Sequence, residues 1–90
     1  MTTPTATDVT SRMRSFVTQR LHMKGDGAPL QDDDLLFTSG RLDSLDAVEI
    51  VMRLEADYGI NFSDIGFDLT RLDSIAEIVA LVDKSAVARA

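Results

Sequence analysis

Ninety residues, 44% of them apolar and 27% charged, with net charge −6 and no cysteine, suffice for one small core but not for a core plus a deep enclosed catalytic cleft. No apolar run approaches the ~20 residues of a membrane-crossing helix, and the lack of cysteine excludes a disulfide framework, a thiolate metal site and a protein thiol nucleophile, so any sulfur chemistry uses an imported thiol. Arg12, Arg14, Arg20 and Lys24 against Asp8 and Asp26 give residues 1–30 about +2 and leave about −8 for the rest, an acidic body that repels nucleic-acid phosphates and suits basic protein surfaces.

The opening MTTPTATDVT has neither a basic start nor an apolar h-region, so a cytoplasmic protein is expected. From Thr7 or Asp8, both good capping residues, Val9, Met13, Phe16, Val17 and Leu21 recur at helical spacing and predict a first amphipathic helix to about Lys24. Gly25 and Gly27 stop it. Residues 25–43 show neither helical nor alternating periodicity and read as a long loop, a length that in compact domains is usually either functional or disordered. Leu35, Leu36 and Phe37 are expected to pin it to the core. Asp32, Asp33 and Asp34 lack the alternation, turn glycine and terminal glutamate of a calcium loop and read as a solvated acidic stretch.

A second helix is predicted from Ser44 to about Tyr58, with Ala47, Ile50, Val51, Leu54 and Tyr58 toward the core and Gly59 as its stop. Residues 64–72 hold one short helix broken near Gly66, anchored by Phe62, Ile65 and Phe67. A last helix runs from Ser74 to about Ala86 on Ile75, Ile78, Val79, Leu81 and Val82, with Lys84 suited to its C-terminal end. No segment alternates like a strand. The expected class is all-α, a small bundle of three main helices and a short one.

The sequence RLDSL at 41–45 is echoed by RLDSI at 71–75. Ser74 is followed by Glu77 in a capping box S-x-x-E, a structural arrangement. Ser44 has Ala47 in the matching place, so Asp43 can serve as the N-cap and leave the Ser44 hydroxyl in the first turn, facing solvent. There the helix dipole and unpaired N–H groups would favour an anionic graft. The residues by themselves leave a plain first-turn serine and a modified one both open. No paired acid and base, metal cluster or nucleophile with a general base is found, and the isolated His22 reads as a surface residue.

The stretch SGRLDSLDAVEIVMRLEADYGI resembles the signature of acyl and peptidyl carrier proteins. Asp43-Ser44-Leu45 matches their D-S-L attachment motif, with Asp46, Val48, Glu49, Leu54 and Glu55 downstream and a closing I-x-x-I-V-x-L-V helix; the similarity runs from about Val9 to Val82. The length fits one domain over residues 1–90, with 1–6 and 87–90 expected to fray, and the resemblance implies that it is a four-helix bundle of the acyl-carrier type. The resemblance also implies a covalent 4′-phosphopantetheine arm on Ser44, attached by a separate phosphopantetheinyl transferase that uses coenzyme A and Mg²⁺. The arm's thiol would carry an acyl or aminoacyl thioester between enzymes of fatty-acid, lipid or secondary-metabolite biosynthesis, and the chain itself would be a non-catalytic monomer.

Expected partners are that transferase, a loading ligase and acyl-processing enzymes with basic docking surfaces, with no nucleic acid and no membrane insertion. The partner surface implied by the resemblance is Asp43, Leu45, Asp46, Glu49, Met52 and Glu55. Gly40 four residues before the serine, Arg53 among the acids of the second helix, and the long IGFDLTRL segment point to a specialised stand-alone carrier. Val48, Val51, Leu54, Ile75, Ile78 and Val79 would serve equally as packed core or as the lining of an acyl-chain cavity. The alternative from another class is an unmodified helical protein–protein interaction module in which Asp43-Ser44 only caps a helix.

Overall fold

Val9, Met13, Val17 and Leu21, each four residues from the next, form one buried stripe on α1, Ala6–Met23, because residues at that spacing lie one above another on a helix. The computed structural model describes the backbone of residues 6–66 and 68–89 and the side chains of 8–63 and 68–85. The expected fraying at 1–6 and 87–90 falls in part outside the described residues, while the helices themselves reach Ala6 and Arg89. The anchors Ile65 and Phe67 also lie outside the described side chains.

The end of α1 is set by Gly25, at φ +83, a left-handed conformation that side chains with a Cβ rarely adopt. Its N–H bonds to the His22 carbonyl, and that of Asp26 to the Leu21 carbonyl, at 3.0 and 2.9 Å. This pair of bonds satisfies carbonyls the helix would otherwise leave orphaned.

The loop that follows contributes Leu36 and Leu42 to the core, with Leu30 and Phe37 packed partly against it, whereas Leu35, expected there, is 49% exposed. Burying Leu36 or Leu42 contributes about 1.5–3 kcal/mol, comparable only to the entropy of fixing two or three residues, so the loop's order requires polar ties as well. Arg14 pairs with Asp32 and reaches the Leu30 carbonyl. Arg41 Nε donates to Asp26 at 2.9 Å, and the Asp32 carbonyl accepts from Ala76 N–H at 2.9 Å. The acidic stretch therefore tethers the loop rather than being simply solvated, although Asp33 is exposed. Gly40, at φ +82, closes the turn that leads into the second helix.

Helix α2 spans Ser44–Tyr58 and buries Ala47, Ile50 and Leu54, with Val51 and Tyr58 half-buried beside them. Gly59 ends it. The expected single short helix is two pieces: α3, Phe62–Ile65, capped by Asn61, and a 3-10 turn at Leu69–Leu72 capped by Asp68, with Gly66 between them. Helix α4, Ile75–Arg89, lies against α1 and the 3-10 turn. Its Ile75, Ile78, Leu81 and Val82 complete the core. The described residues contain no strand, and the all-α bundle of acyl-carrier type is as expected.

Candidate attachment site and partner face

The two RLDS copies enter their helices one register apart. In the first, Asp43 is the N-cap in extended conformation, its Oδ1 accepting from Leu45 and Asp46 N–H at 3.0 and 3.1 Å. Asp46 returns the contact, its Oδ2 accepting from Asp43 N–H at 2.9 Å, so a capping box forms around Ser44 without using it. Ser44 is the first helical residue, exposed, and its hydroxyl makes no hydrogen bond with the described residues. In the second copy Ser74 precedes α4, is 4% exposed, and its Oγ accepts from Glu77 N–H at 3.1 Å. Asp73 sits one place further out and binds the loop: its carboxylate accepts from Leu36, Phe37 and Thr38 N–H at 3.1, 2.7 and 3.0 Å and from the Thr38 hydroxyl.

The last turn of α1 closes over the head of α2. Arg20 Nε and Nη2 donate to Asp46 Oδ1 at 2.9 and 2.8 Å, and Lys24 Nζ lies 2.9 Å from Asp46 Oδ2 and 3.0 Å from Asp43 Oδ2. Burial opposes ionisation of Asp46, but the Asp43 N–H, Lys24 and Arg20 outweigh it and hold its carboxyl at about 2. The same contacts raise the Lys24 ammonium above its ordinary value, chiefly through the bond to Asp46. For Asp73, burial again pushes upward and is outweighed by the Thr38 hydroxyl and the three N–H groups, leaving its carboxyl below the ordinary value.

Two expectations are corrected. Asp46 does not belong to an exposed partner face: it is 1% exposed and its oxygens are occupied by Arg20, Lys24 and the Asp43 N–H. Nor are the N–H groups at the head of α2 all open to an anion, since Asp43 takes those of Leu45 and Asp46. What favours a phosphoester on a hydroxyl here is the open position together with the helix dipole, worth typically ~0.3–1 kcal/mol. The exposed side chain fits a bulky graft, which would displace no packed neighbour. The Ser44 hydroxyl makes no hydrogen bond to a basic side chain among the described residues.

Of the other residues expected at the partner surface, Leu45 and Met52 are 64% and 57% exposed, Asp43 and Glu55 are exposed, and Glu49 is half-buried. Val48 is 50% exposed and stands between Leu45 and Met52 on the same flank rather than in the interior. The spacing 45, 48, 52 was the signal for it: one turn and then another along the same flank. Leu54, Ile75 and Ile78 are fully buried as core, and Val51 and Val79 pack partly against it. Arg53 pairs with Asp57 at 3.6 Å and sits over the Phe16 ring, 4.9 Å from its centroid. His22 is exposed, and no group of potential metal ligands is found among the described residues.

The family profile described as "Phosphopantetheine attachment site" matches residues 11–82. Among curated proteins the chain is similar to the acyl carrier protein of Thermotoga maritima, 26% identical over 77 residues that cover 86% of this chain and 90% of that protein. No solved structure gave a significant match. With its all-helical fold and a profile match over most of its length, the chain belongs to the phosphopantetheine attachment site family and is a carrier protein whose covalent cofactor is 4′-phosphopantetheine.

Proposed function

We propose that the 4′-phosphopantetheine arm is joined to Ser44 and that the chain moves an acyl or aminoacyl group between partner enzymes of fatty-acid, lipid or secondary-metabolite biosynthesis. One observation carries the assignment: of the two serines in the RLDS copies, Ser44 exposes a hydroxyl that bonds to nothing described, whereas Ser74 is buried and occupied as a cap. When bound, the group supplies a terminal thiol on which cargo is held as a thioester, and a tethered cargo is presented at high effective concentration. Ser44 is the acceptor for a separate transferase, which brings its own base. The capping box fixes the backbone on either side of it.

The exposed Leu45, Val48 and Met52 form an adaptable apolar docking strip, flanked by Asp43, Glu49 and Glu55, which steer basic surfaces of the transferase, of a loading ligase and of acyl-processing enzymes. The similarity to the acyl carrier protein of Thermotoga maritima supports an acyl cargo. The test is intact mass after co-expression with a broad-range phosphopantetheinyl transferase. Wild type and Ser74→Ala should each gain one cofactor adduct and Ser44→Ala none. An adduct on Ser44→Ala, or its loss from a folded Ser74→Ala, overturns the assignment.

A further inference from the structure

Asp46 does two things at once. One oxygen receives the Asp43 N–H and so holds the residue before Ser44 in its extended cap conformation; the other receives both Arg20 donors from α1. Ser44 lies between the two residues of this box, and its backbone can leave the helical position only if the box opens. The carboxylate that closes the box is almost fully buried, while Arg20 is 22% exposed and turned onto it. Without both Arg20 donors, Oδ1 of this buried carboxylate has no partner among the described residues, and although Lys24 stays paired with Oδ2 the group is driven to take up a proton at Oδ1 or to turn that oxygen toward water. Either course weakens the Asp43 N–H bond and frees the head of α2.

We infer that Arg20, a residue of the first helix, is a positioning residue for modification at Ser44, acting through Asp46. The inference rests on the Ser44 assignment above. A transferase must find the serine in one place. If the closed head is populated only as a fraction, the apparent affinity for the carrier falls by that fraction while the step in the bound complex is untouched. The loss therefore falls on KM for the carrier and spares kcat. Lys24 does not replace Arg20 here, because its ammonium sits on the opposite oxygen of Asp46 and is shared with Asp43.

The experiment is steady-state transfer of phosphopantetheine from coenzyme A to the full chain, with amide hydrogen exchange on the same proteins. Arg20→Gln should raise KM about tenfold, and Arg20→Lys, which keeps the charge but loses the fork, about threefold, with kcat within about twofold of wild type in both. Exchange at the Asp43 and Asp46 amides should quicken while that of Leu54, deep in α2, stays as in wild type. KM within about twofold of wild type in both variants, a fall in kcat at unchanged KM, or quickening that includes Leu54 equally overturns the inference. Should Arg20→Gln not fold, Arg20→Lys decides by the same readouts. Ser44→Ala is run beside them: uptake there sinks the attachment site itself, whereas no uptake there with wild-type behaviour of the Arg20 variants sinks only the role of Arg20.

Discussion

Asp73 and Thr38, 35 positions apart in the chain, meet through both the backbone N–H and the hydroxyl of Thr38. The same carboxylate also takes the N–H groups of Leu36 and Phe37, and the Asp73 carbonyl accepts from Leu36 N–H at 2.8 Å. One side chain thus holds the long loop against the entrance of α4. Asp73→Ala would leave N–H groups beside the buried Leu36 without an acceptor, each worth about 1–3 kcal/mol if it finds no water. A net loss of about 2–4 kcal/mol is expected in urea unfolding, and Asp73→Asn, which keeps one acceptor oxygen, should lose less. Equal midpoints for wild type and Asp73→Ala would mean that the clamp contributes nothing.

Ser74 and Ser44 should separate in stability as well as in modification. Removing the Ser74 hydroxyl strips the acceptor from Glu77 N–H in a site that is nearly closed to water, and an N-cap serine replaced by alanine typically costs about 0.5–2 kcal/mol. Ser44→Ala removes an exposed hydroxyl with no described bond and should stay within about 0.5 kcal/mol of wild type. Thermal and urea unfolding of the two variants, prepared without transferase, reads the difference directly. A larger loss in Ser44→Ala than in Ser74→Ala would contradict the registers of the two caps.

The three long helices were legible because Val9, Met13, Val17 and Leu21 in α1, Ala47, Ile50 and Leu54 in α2, and Ile75, Ile78 and Val82 in α4 recur at the helical period. The contrast between the serines was legible only in part: Ser74 caps through the Glu77 backbone N–H, whereas the reciprocal box closes in the other copy, between Asp43 and Asp46. The burial of Asp46 was not legible: on its own helix it reads as one more acid beside Asp43 and Glu49, and it is turned inward by Arg20, 26 residues earlier. Asp73 is hidden for the same reason, its partners lying 35 to 37 residues back in the loop. The division of the third helical region does have a local signal, since Asn61 and Asp68 each cap by accepting from the residue two places on.

Acid should act through these buried carboxylates. Asp46 has a folded value of about 2 against an ordinary 3.8, so the unfolded chain binds the proton more tightly than the folded one. Its contribution, on the order of 2 kcal/mol, is fully present above about pH 4 and is lost as the pH falls through about 2. Asp73, also held low, drains stability in the same direction. Asp46→Asn should therefore be less stable than wild type at neutral pH and show a shallower decline between about pH 4 and 2. Urea midpoints at half-unit intervals across that range check it; parallel curves for the two proteins would show that Asp46 is not an acid-sensitive tie.

On the proposed docking flank of α2, docking and folding should separate. Leu45, Val48 and Met52 already expose half or more of their surface, so truncating them removes little buried area, and the triple alanine variant should unfold within about 1 kcal/mol of wild type. At an interface the same side chains would be desolvated by the partner, where a few apolar anchors carry most of the affinity. The triple variant is expected to raise the KM of phosphopantetheinyl transfer about tenfold or more, and the effect should persist at high salt. Glu49→Gln with Glu55→Gln should instead weaken association mainly at low salt, because exposed charges act through steering that a Debye length of about 8–10 Å confines at physiological ionic strength. An apolar variant with wild-type KM and intact fold would move the docking surface off this flank. A loss that vanishes with added salt would assign the recognition to the acids instead.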